Sequence, residues 1–444
     1  MRIVPQVAVA MQAVFGTTLN YLSRTTGCVQ RQRKFCGMSL VRTLVLTLLQ
    51  HPAAKDRDYR AMAAKLGVQV TEDAIARRFT DRLVRFLEEV LKRVVAEALA
   101  ARRAPGALLQ KFTDVRIGDS TTVALPDELA ERFPGCGGTG KACLAALKIQ
   151  VLWSLTTGQL LQWLLEPGRA SDALSAIATT VPPRRSLSIF DLGYFSLERF
   201  RRFGEAGAYW ISRFQHRTKV FDEAGKLLPL LRFLRKCGKH GLVDLPVVLG
   251  EKERLGCRLL AVRVPPEVAA RRRQQIREKA RDHGREPSQE YLDLQEWTIF
   301  VSNCPPEMLT WKEVVVLYRA RWQIELLFKL WKSHNRLAQQ EMNASPPRQM
   351  AILYAKLIAV LVQHWILLTS TWSNAERSLR KAAVIVQDWV VLLSEVLDDR
   401  RRLCGLLGRL DFAMANAARI SRRKKHPSLF QLLENPELLE YSVA

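Results

Sequence analysis

The amino-acid sequence predicts an α/β protein whose strand-rich middle is flanked by all-helical segments. Residues 1–105 show helical periodicity throughout, and the chain from about residue 350 onwards does so again. Between them, short apolar runs follow one another in the order of three strands, a helix and two further strands. At 444 residues the chain is long enough for two to four domains with substantial cores.

A pair of helices at 57–83 is the most informative part of the N-terminal segment. A turn at Gly67 separates a short amphipathic helix from a capped second helix at 72–80. This spacing is typical of a helix-turn-helix, whose second helix would carry Arg77 and Arg78 into a DNA major groove. Helical hairpins with a glycine turn are abundant, so a plain packing role is the alternative.

The central strands are interrupted by a mixed insertion. The predicted strands lie at 111–125, 147–156, 159–166, 186–195 and 208–214, with a helix beginning near Ser171. Residues 215–310 then add strand-like runs, a basic helix at 267–283 and the strand EWTIFVSN. A long amphipathic helix around Glu325 follows the insertion.

The charge balance predicts a polyanionic partner. Lys and Arg number 68 against 43 Asp and Glu, which gives a formal net charge of +25. Such an excess attracts polyanions over a long range, and nucleic acid is the commonest of them. The charge is spread along the chain, with short runs at 31–34, 271–273, 400–402 and 422–425. A protein of membrane surfaces would more often concentrate it in one helix or tail.

Several other classes of protein are disfavoured. The eight cysteines show no CxxC pair and no histidine at zinc-ligand spacing, which is typical of free thiols in a reducing cytosol. The N-terminus has one basic residue and a polar interruption, unlike a signal peptide. The apolar window 351–372 contains Lys356, Gln363 and His364, which favours a buried core helix over a membrane span.

A glycine-rich stretch at 135–142 has the spacing of a phosphate-binding loop but not its chemistry. The position that should hold Ser or Thr for magnesium is Ala142, and no buried strand precedes the stretch. We therefore expect a mobile basic loop and no bound nucleotide.

The stretch YRARWQIELLFKLWKSHNRL, 318–337, combines charge and hydrocarbon on one helix. At about 100° per residue, Tyr318, Arg321, Glu325 and Lys332 fall within roughly 60° of each other. An exposed ladder of ion pairs is one explanation, since such pairs are common on helices. An active-site wall is the other, in which the glutamate holds a metal ion and its cationic neighbours hold phosphates.

Two aspartates at predicted strand ends favour the active-site explanation. Asp119 ends the first strand in RIGDSTTV, and Asp191 ends the strand in LSIFDLGYF. Either alone would be read as a turn former or a helix cap. Together with Glu325, however, they can converge into an all-oxygen site suited to Mg²⁺. Two such ions, about 4 Å apart, can catalyse displacement at a phosphodiester.

These residues carry a resemblance to a known family. The spacing Y-x2-R-x3-E-x6-K is met by Tyr318, Arg321, Glu325 and Lys332, and DST and DLGYF begin at Asp119 and Asp191. The chain thereby resembles DDE-type insertion-sequence transposases with the YREK signature, the IS-four-like group. The resemblance extends from about residue 55 to 370.

The resemblance implies a ribonuclease H-like catalytic core at 106–370, interrupted by the insertion at 215–310. It implies a helical DNA-binding domain at 1–105 and a helical dimerisation region at 371–444, for which plain core packing is the alternative. Its metal ligands would be Asp119, Asp191 and Glu325, binding two Mg²⁺ ions for which Mn²⁺ would substitute. Its phosphate contacts would be Tyr318, Arg321 and Lys332. Trp297 is similar to the tryptophan that stacks on a flipped base in relatives, although strand alternation also explains it as a core residue.

The implied function is that of a cut-and-paste transposase. Such an enzyme binds the terminal inverted repeats of its element as a homodimer and cuts with metal-activated water. It passes through a DNA hairpin and joins the 3′ ends to target DNA. A metal-dependent nuclease without strand transfer and an inactive DNA-binding regulator are the alternatives. We expect a bacterial protein of the cytoplasm, associated with the nucleoid.

Overall fold

One mixed sheet of nine strands runs through the residues that the structure describes. The computed structural model describes residues 3–31, 33–136, 144–282, 284–339, 341, 344–370, 372, 374, 376–420 and 426–439. The strands are β1 (Val115–Leu125), β2 (Ala145–Ser154), β3 (Leu160–Pro167), β4 (Leu187–Phe190), β5 (Tyr209–Arg213), β6 (Val220–Phe221), β7 (Leu242–Leu249), β8 (Leu255–Arg263) and β9 (Trp297–Ser302). Their order is β3-β2-β1-β4-β5-β9-β8-β7-β6. The pairs β1–β4 and β4–β5 are parallel, whereas β2–β3 and the pairs from β5–β9 to β6–β7 are antiparallel.

Helices occupy most of the remaining described chain. They are α1 (Ile3–Phe15), α2 (Thr18–Thr25), α3 (Gly37–Gln50), α4 (Asp56–Lys65), α5 (Glu72–Ala76), α6 (Asp81–Ala96), α7 (Ala107–Gln110), α8 (Ala176–Thr179), α9 (Leu197–Glu205), α10 (Leu230–Cys237), α11 (Pro266–Asp282), α12 (Gln289–Asp293), α13 (Trp311–Arg319), α14 (Trp322–Lys329), α15 (Pro346–Leu368), α16 (Leu379–Asp388), α17 (Val390–Val396), α18 (Arg400–Ala417) and α19 (Leu429–Glu434). The helical character predicted for both ends of the chain is confirmed.

The chain divides into two compact units, of which the first is mainly helical. It comprises Met1–Pro105, Ser120–Ala170 and Gln323–Arg422, and it contains the β2–β3 hairpin. Its central helix is α15, which packs against α3 and α6. Every residue of α15 from 349 to 368 is buried.

The helix α15 is the apolar segment that also has the length and composition of a membrane span. Its apolar window is entirely enclosed by the protein, so the prediction of a buried core helix is confirmed. Two of its charged or titratable side chains are buried with partners, and the first is Lys356, whose Nζ donates to the carbonyls of Arg336 and Gln339 at 2.9 and 2.8 Å. His364 Nε2 lies 2.7 Å from the carbonyl oxygen of Gly158.

The helical pair predicted at 57–83 is present with a shorter second helix. The turn residue Gly67 has a φ of +77°, and the Thr71 side chain caps α5. The helix α5 ends at Ala76 rather than at residue 80, because the Thr80 side chain caps a new helix, α6. The helix expected near Ser171 is likewise reduced, to a 3-10 turn and the four-residue α8.

The second unit contains the remaining strands, except for residues 120–125 of β1. It comprises Gly106–Asp119, Ser171–Trp322 and Arg423–Ala444. The strands and the basic helix predicted inside 215–310 are confirmed as β7, β8, β9 and α11. Because β9 pairs with β5, the strands of the insertion extend the same sheet.

Two sequence features lie wholly or partly outside the described residues. The glycine-rich stretch at 135–142 is described only at Gly135 and Cys136, and the basic run at 422–425 is not described at all.

We expect His364 to make the protein sensitive to acid. Burial lowers the pKa of His364 from its ordinary value to about 4. Between pH 6.5 and 4 the unfolded chain therefore binds a proton that the folded chain does not, and the free energy of unfolding falls by up to roughly 3 kcal/mol. His364→Gln retains a hydrogen-bond donor for Gly158 but does not titrate, so it should lose less stability over this window. Urea unfolding at pH 7 and pH 4.5 measures the difference, with the exposed His240→Gln as control. An unchanged pH dependence in His364→Gln would contradict the prediction.

Candidate active site

The parallel pairing of β1 with β4 brings two predicted metal ligands to neighbouring positions. Gly118 of β1 is in register with Phe190 of β4, and each is followed directly by an aspartate. Because adjacent strands lie about 4.8 Å apart, Asp119 and Asp191 stand side by side. Both side chains are half-buried.

The position of Asp119 within its strand differs from the prediction. It is the fifth residue of an eleven-residue strand, not the end of one. The short strand β4, however, ends at Phe190, so its pairing with β1 stops at Gly118, directly before Asp119. Asp191 directly follows the last residue of β4, has extended dihedral angles and leads into a 3-10 turn.

Two of the signature residues lie beside these aspartates in the second unit. Arg321 Nη1 donates to Asp119 Oδ2 at 2.9 Å, and the guanidinium also hydrogen-bonds to the Tyr318 side chain. Burial raises the pKa of Tyr318 to about 12, and the charge of Asp191 acts in the same direction. Tyr318 therefore keeps its proton and can donate a hydrogen bond to an anion.

Arg213 belongs to the same cluster, although the sequence interpretation did not include it. It ends β5, the strand next to β4, and its Cζ lies 5.5 Å from the centroid of the Phe300 ring. Desolvation lowers its pKa, which the charges of Tyr318 and Asp191 partly oppose. The signal that could have found it is the one that found Asp191: a charged residue at the end of an apolar strand. We call Asp119, Asp191, Arg213, Tyr318 and Arg321 the strand-end cluster.

Polar contacts fix the helix that carries Tyr318. Thr310 and Glu313 form a capping box at the start of α13, and Lys111 Nζ donates to Glu313 at 2.8 Å. The segment just before α13 is held by Arg258, which donates to the carbonyl of Leu309 at 2.6 Å. The buried guanidinium of Arg258 also makes two hydrogen bonds of 2.6 Å to Asp244.

The signature stretch was predicted to form one continuous helix, but in the structure it forms three segments. The helix α13 ends at Arg319, α14 begins at Trp322, and a π-helix spans Leu330–His334. The stretch contains no proline or glycine at the helix break or at the π-helix, so the sequence periodicity could not predict either feature. The prediction that the four signature residues lie within 60° on one helix assumed an unbroken helix. The breaks show that this prediction was wrong.

The remaining two signature residues lie in the first unit. Glu325 is half-buried on α14. Lys332 lies in the π-helix, and its Nζ donates to the carbonyl of Thr122 at 3.0 Å. Since π-helical turns frequently mark functional sites, this distortion is consistent with a role for Lys332 beyond packing.

The three other predicted DNA contacts are distributed over the two units. Arg77 is exposed and pairs with Asp73 at 2.7 Å, whereas Arg78 is half-buried with its Cζ 5.8 Å from the Phe35 ring centroid. Trp297 begins β9 and is only 3% exposed. Its burial fits the core-packing alternative, and stacking on a base would require the indole to leave its pocket.

Comparisons with known proteins identify the family. Residues 110–361 match the family described as "Transposase DDE domain", which is more than half of the chain. The chain belongs to the DDE transposase family. It is 28% identical to the transposase for insertion sequence element IS231F of Bacillus thuringiensis subsp. israelensis, over 94% of this chain and 92% of that protein. It is 26% identical to the transposase for IS1151 of Clostridium perfringens, over 68% and 67% of the two chains.

A DDE transposase domain implies DNA as partner and dependence on a divalent metal ion. The described residues contain no group of three His, Cys, Asp or Glu side chains arranged to hold a metal. Asp119 and Asp191 nevertheless fit a hard divalent cation, because they present carboxylate oxygens on adjacent strands. One oxygen of Asp119 already accepts from Arg321, so a metal ion and this guanidinium would compete for it.

We predict that the close contact between β1 and β4 requires glycine at position 118. A Cβ at Gly118 would overlap the Phe190 ring, so Gly118→Ala should cost about 1–3 kcal/mol by overpacking and displace Asp191. Gly256→Ala is the matched control, since a Cβ on this strand glycine would meet no described atom within 4 Å. Thermal unfolding and DNA cleavage assays of both variants test this. Equal effects at the two glycines would show that the β1–β4 contact has no special role.

Proposed function

We propose that this chain is a cut-and-paste transposase that cleaves and rejoins the ends of its own insertion sequence. The observation that carries the proposal is the strand-end cluster, in which two carboxylates stand beside two arginines and a tyrosine. Carboxylates are needed to hold metal ions, and arginine and tyrosine donors are needed to hold the DNA backbone. The chain belongs to a family of transposases, and the net charge of +25 suits DNA as the partner.

A ribonuclease H-like core is part of this proposal. The strand order β3-β2-β1-β4-β5, with an antiparallel β2–β3 hairpin and parallel β1–β4 and β4–β5 pairs, supports it. In the chain, β1, β2 and β3 precede a short helical segment, and the parallel strands β4 and β5 follow it, as a ribonuclease H-like fold requires. The insertion enters after β5 and returns through β9 to the signature helices.

The proposed metal ligands are Asp119, Asp191 and Glu325. Bound Mg²⁺, as two ions, would supply the activated water and stabilise the leaving oxygen in phosphodiester cleavage. Arg213 and Arg321 would attract the negatively charged DNA backbone towards the carboxylates and balance the charge of the carboxylates. Tyr318, which keeps its proton, would donate to a phosphate oxygen, and Lys332 would also contact a phosphate.

End recognition and pairing complete the proposed reaction. The helical pair at 57–83 would read the terminal inverted repeats, and the helices beyond residue 371 would pair two protomers. The freed 3′ end would attack the opposite strand to form a hairpin before joining target DNA. We place this activity at the bacterial nucleoid.

One reaction product distinguishes the proposed transposase from two alternative functions. A nuclease with the same core would cut DNA without joining it, and an inactive regulator would only bind. Only the transposase yields a 3′ end covalently joined to a second duplex.

We predict that the wild-type protein, with Mg²⁺ and DNA carrying its own flanking repeats, yields joined products. Asp119→Asn, Asp191→Asn and Glu325→Gln should each abolish cutting and joining while repeat binding remains nearly intact, since the ligands serve chemistry more than docking. Gel analysis of end-labelled DNA checks this, and gel shifts measure binding. Substantial cleavage by any one variant would remove that residue from the ligand set. Cutting without joining by the wild type would favour the nuclease.

We predict that Arg77 and Arg78 contribute to the recognition of the element end. Replacing both by alanine should reduce the preference for the repeat over random DNA, by about 1–3 kcal/mol for each lost base contact. Competition gel shifts measure this preference. An equal loss on both DNAs would assign these arginines to phosphate contacts and place base reading elsewhere.

We predict that Trp297 supports hairpin formation by stacking on an unpaired base. Extruding a base costs a few kcal/mol, of which an indole face offsets about 1–3 kcal/mol. The burial of Trp297 and the unpartnered state of its Nε1 among the described residues make a packing role the competing explanation. Trp297→Ala should leave the first nick nearly normal and slow hairpin formation, and a missing base at the flipped position should restore it in part. Joint loss of solubility and nicking would instead assign Trp297 to the core.

A further inference from the structure

Two arginines of the second unit lie close together, and neither is held by a salt bridge within the described part of the chain. Arg213 ends β5, and Arg272 lies on α11 of the insertion. Neither guanidinium forms a salt bridge with any described residue. By contrast, the next residue on α11, Arg273, pairs with Glu296 at 2.8 Å. The two arginines therefore differ from the ordinary salt-bridged cations around them.

The strand β9 places both guanidiniums on one face of the sheet. Arg213 is in register with Phe300 and contacts its ring. Two residues earlier on the same face, Thr298 accepts a hydrogen bond of 3.1 Å from Arg272 Nη1. The Tyr318 ring also packs against Phe300, with 5.1 Å between centroids. The pair of arginines thus adjoins the strand-end cluster.

The arrangement is electrostatically unfavourable for the protein alone. Burial, together with the smaller effect of the charges of Arg213 and Arg271, lowers the pKa of Arg272 to about 10. Two half-buried like charges side by side repel each other, and an anion between them would remove this repulsion. Guanidinium groups bind phosphate oxygens through paired N–H donors, so a phosphodiester suits this position.

We propose that Arg213 and Arg272 together bind one backbone phosphate of the DNA strand that enters the strand-end cluster. Arg272 is then a DNA-positioning residue supplied by the insertion. The phosphate would neighbour the one at the carboxylates, since Arg213 interacts electrostatically with Asp191 and Arg321. This inference rests on the proposed function only in taking DNA as the ligand.

The first test compares two arginines of α11. Arg272→Gln should weaken binding of end DNA about tenfold and reduce the slope of log K against log salt by about 0.9, the value for one lost phosphate contact. Arg277→Gln removes the same charge from an exposed position on the same helix and should change neither by more than a small amount. Equal effects of the two variants would overturn the proposal. Thermal unfolding checks that both remain folded, and Arg272→Lys, which keeps the charge, should bind with intermediate affinity.

The second test locates the phosphate. Neutral methylphosphonate groups are placed one at a time along the end DNA, and binding is measured without metal. At one position wild-type affinity should fall about tenfold, whereas Arg272→Gln should lose nothing further there. Additive losses at every position would overturn the proposal. Neither test requires cleavage, so a protein that passes both but never joins ends would contradict the proposed transposition and not the phosphate site.

Discussion

The close parallel contact between β1 and β4 is the constraint on which the candidate site depends. Glycine at position 118 leaves room for the Phe190 ring, and the register of this pair sets the two following aspartates side by side. Two adjacent carboxylates repel each other, and the protein offsets this with cations from elsewhere in the second unit. Arg321 pairs directly with Asp119, and Arg213 interacts electrostatically with Asp191. The same cations that balance the carboxylates are those that would meet the DNA backbone.

The insertion contributes to this site through the sheet rather than as a separate body. Its last strand, β9, pairs with β5 and carries Thr298 and Phe300 on the face where Arg213, Arg272 and Tyr318 meet. The hairpin of β7 and β8 supplies the Arg258–Asp244 pair, which holds the segment leading into α13. The strands of the insertion can therefore orient signature residues that follow them in the chain, because hydrogen-bonded strands hold one another in fixed positions.

Different parts of this structure were predictable to different degrees. The strands of the insertion and the core helix α15 followed from periodicity, because runs of apolar residues must be buried whatever their partners are. Asp191 was found because its place at the end of an apolar strand was considered together with Asp119 and Glu325. The shorter α5 was not foreseen, since Thr80 could be read either as a helix residue or as a cap for α6. Arg213 also ends an apolar strand, but the sequence does not show that it lies beside Tyr318 and Asp191.

The sequence by itself determined the family signature, the positive charge and the residue types that the chemistry needs. These are properties of composition and spacing, which one chain carries without reference to its folding. Only the tertiary structure decided that Asp119 lies in mid-strand opposite the end of β4. Tertiary structure also decided that the signature is divided among α13, α14 and a π-helix, and that two arginines share one face of β9. The physical reason is that strand register, helix breaks and the desolvation of charge are set by contacts between distant segments, and no local pattern encodes them.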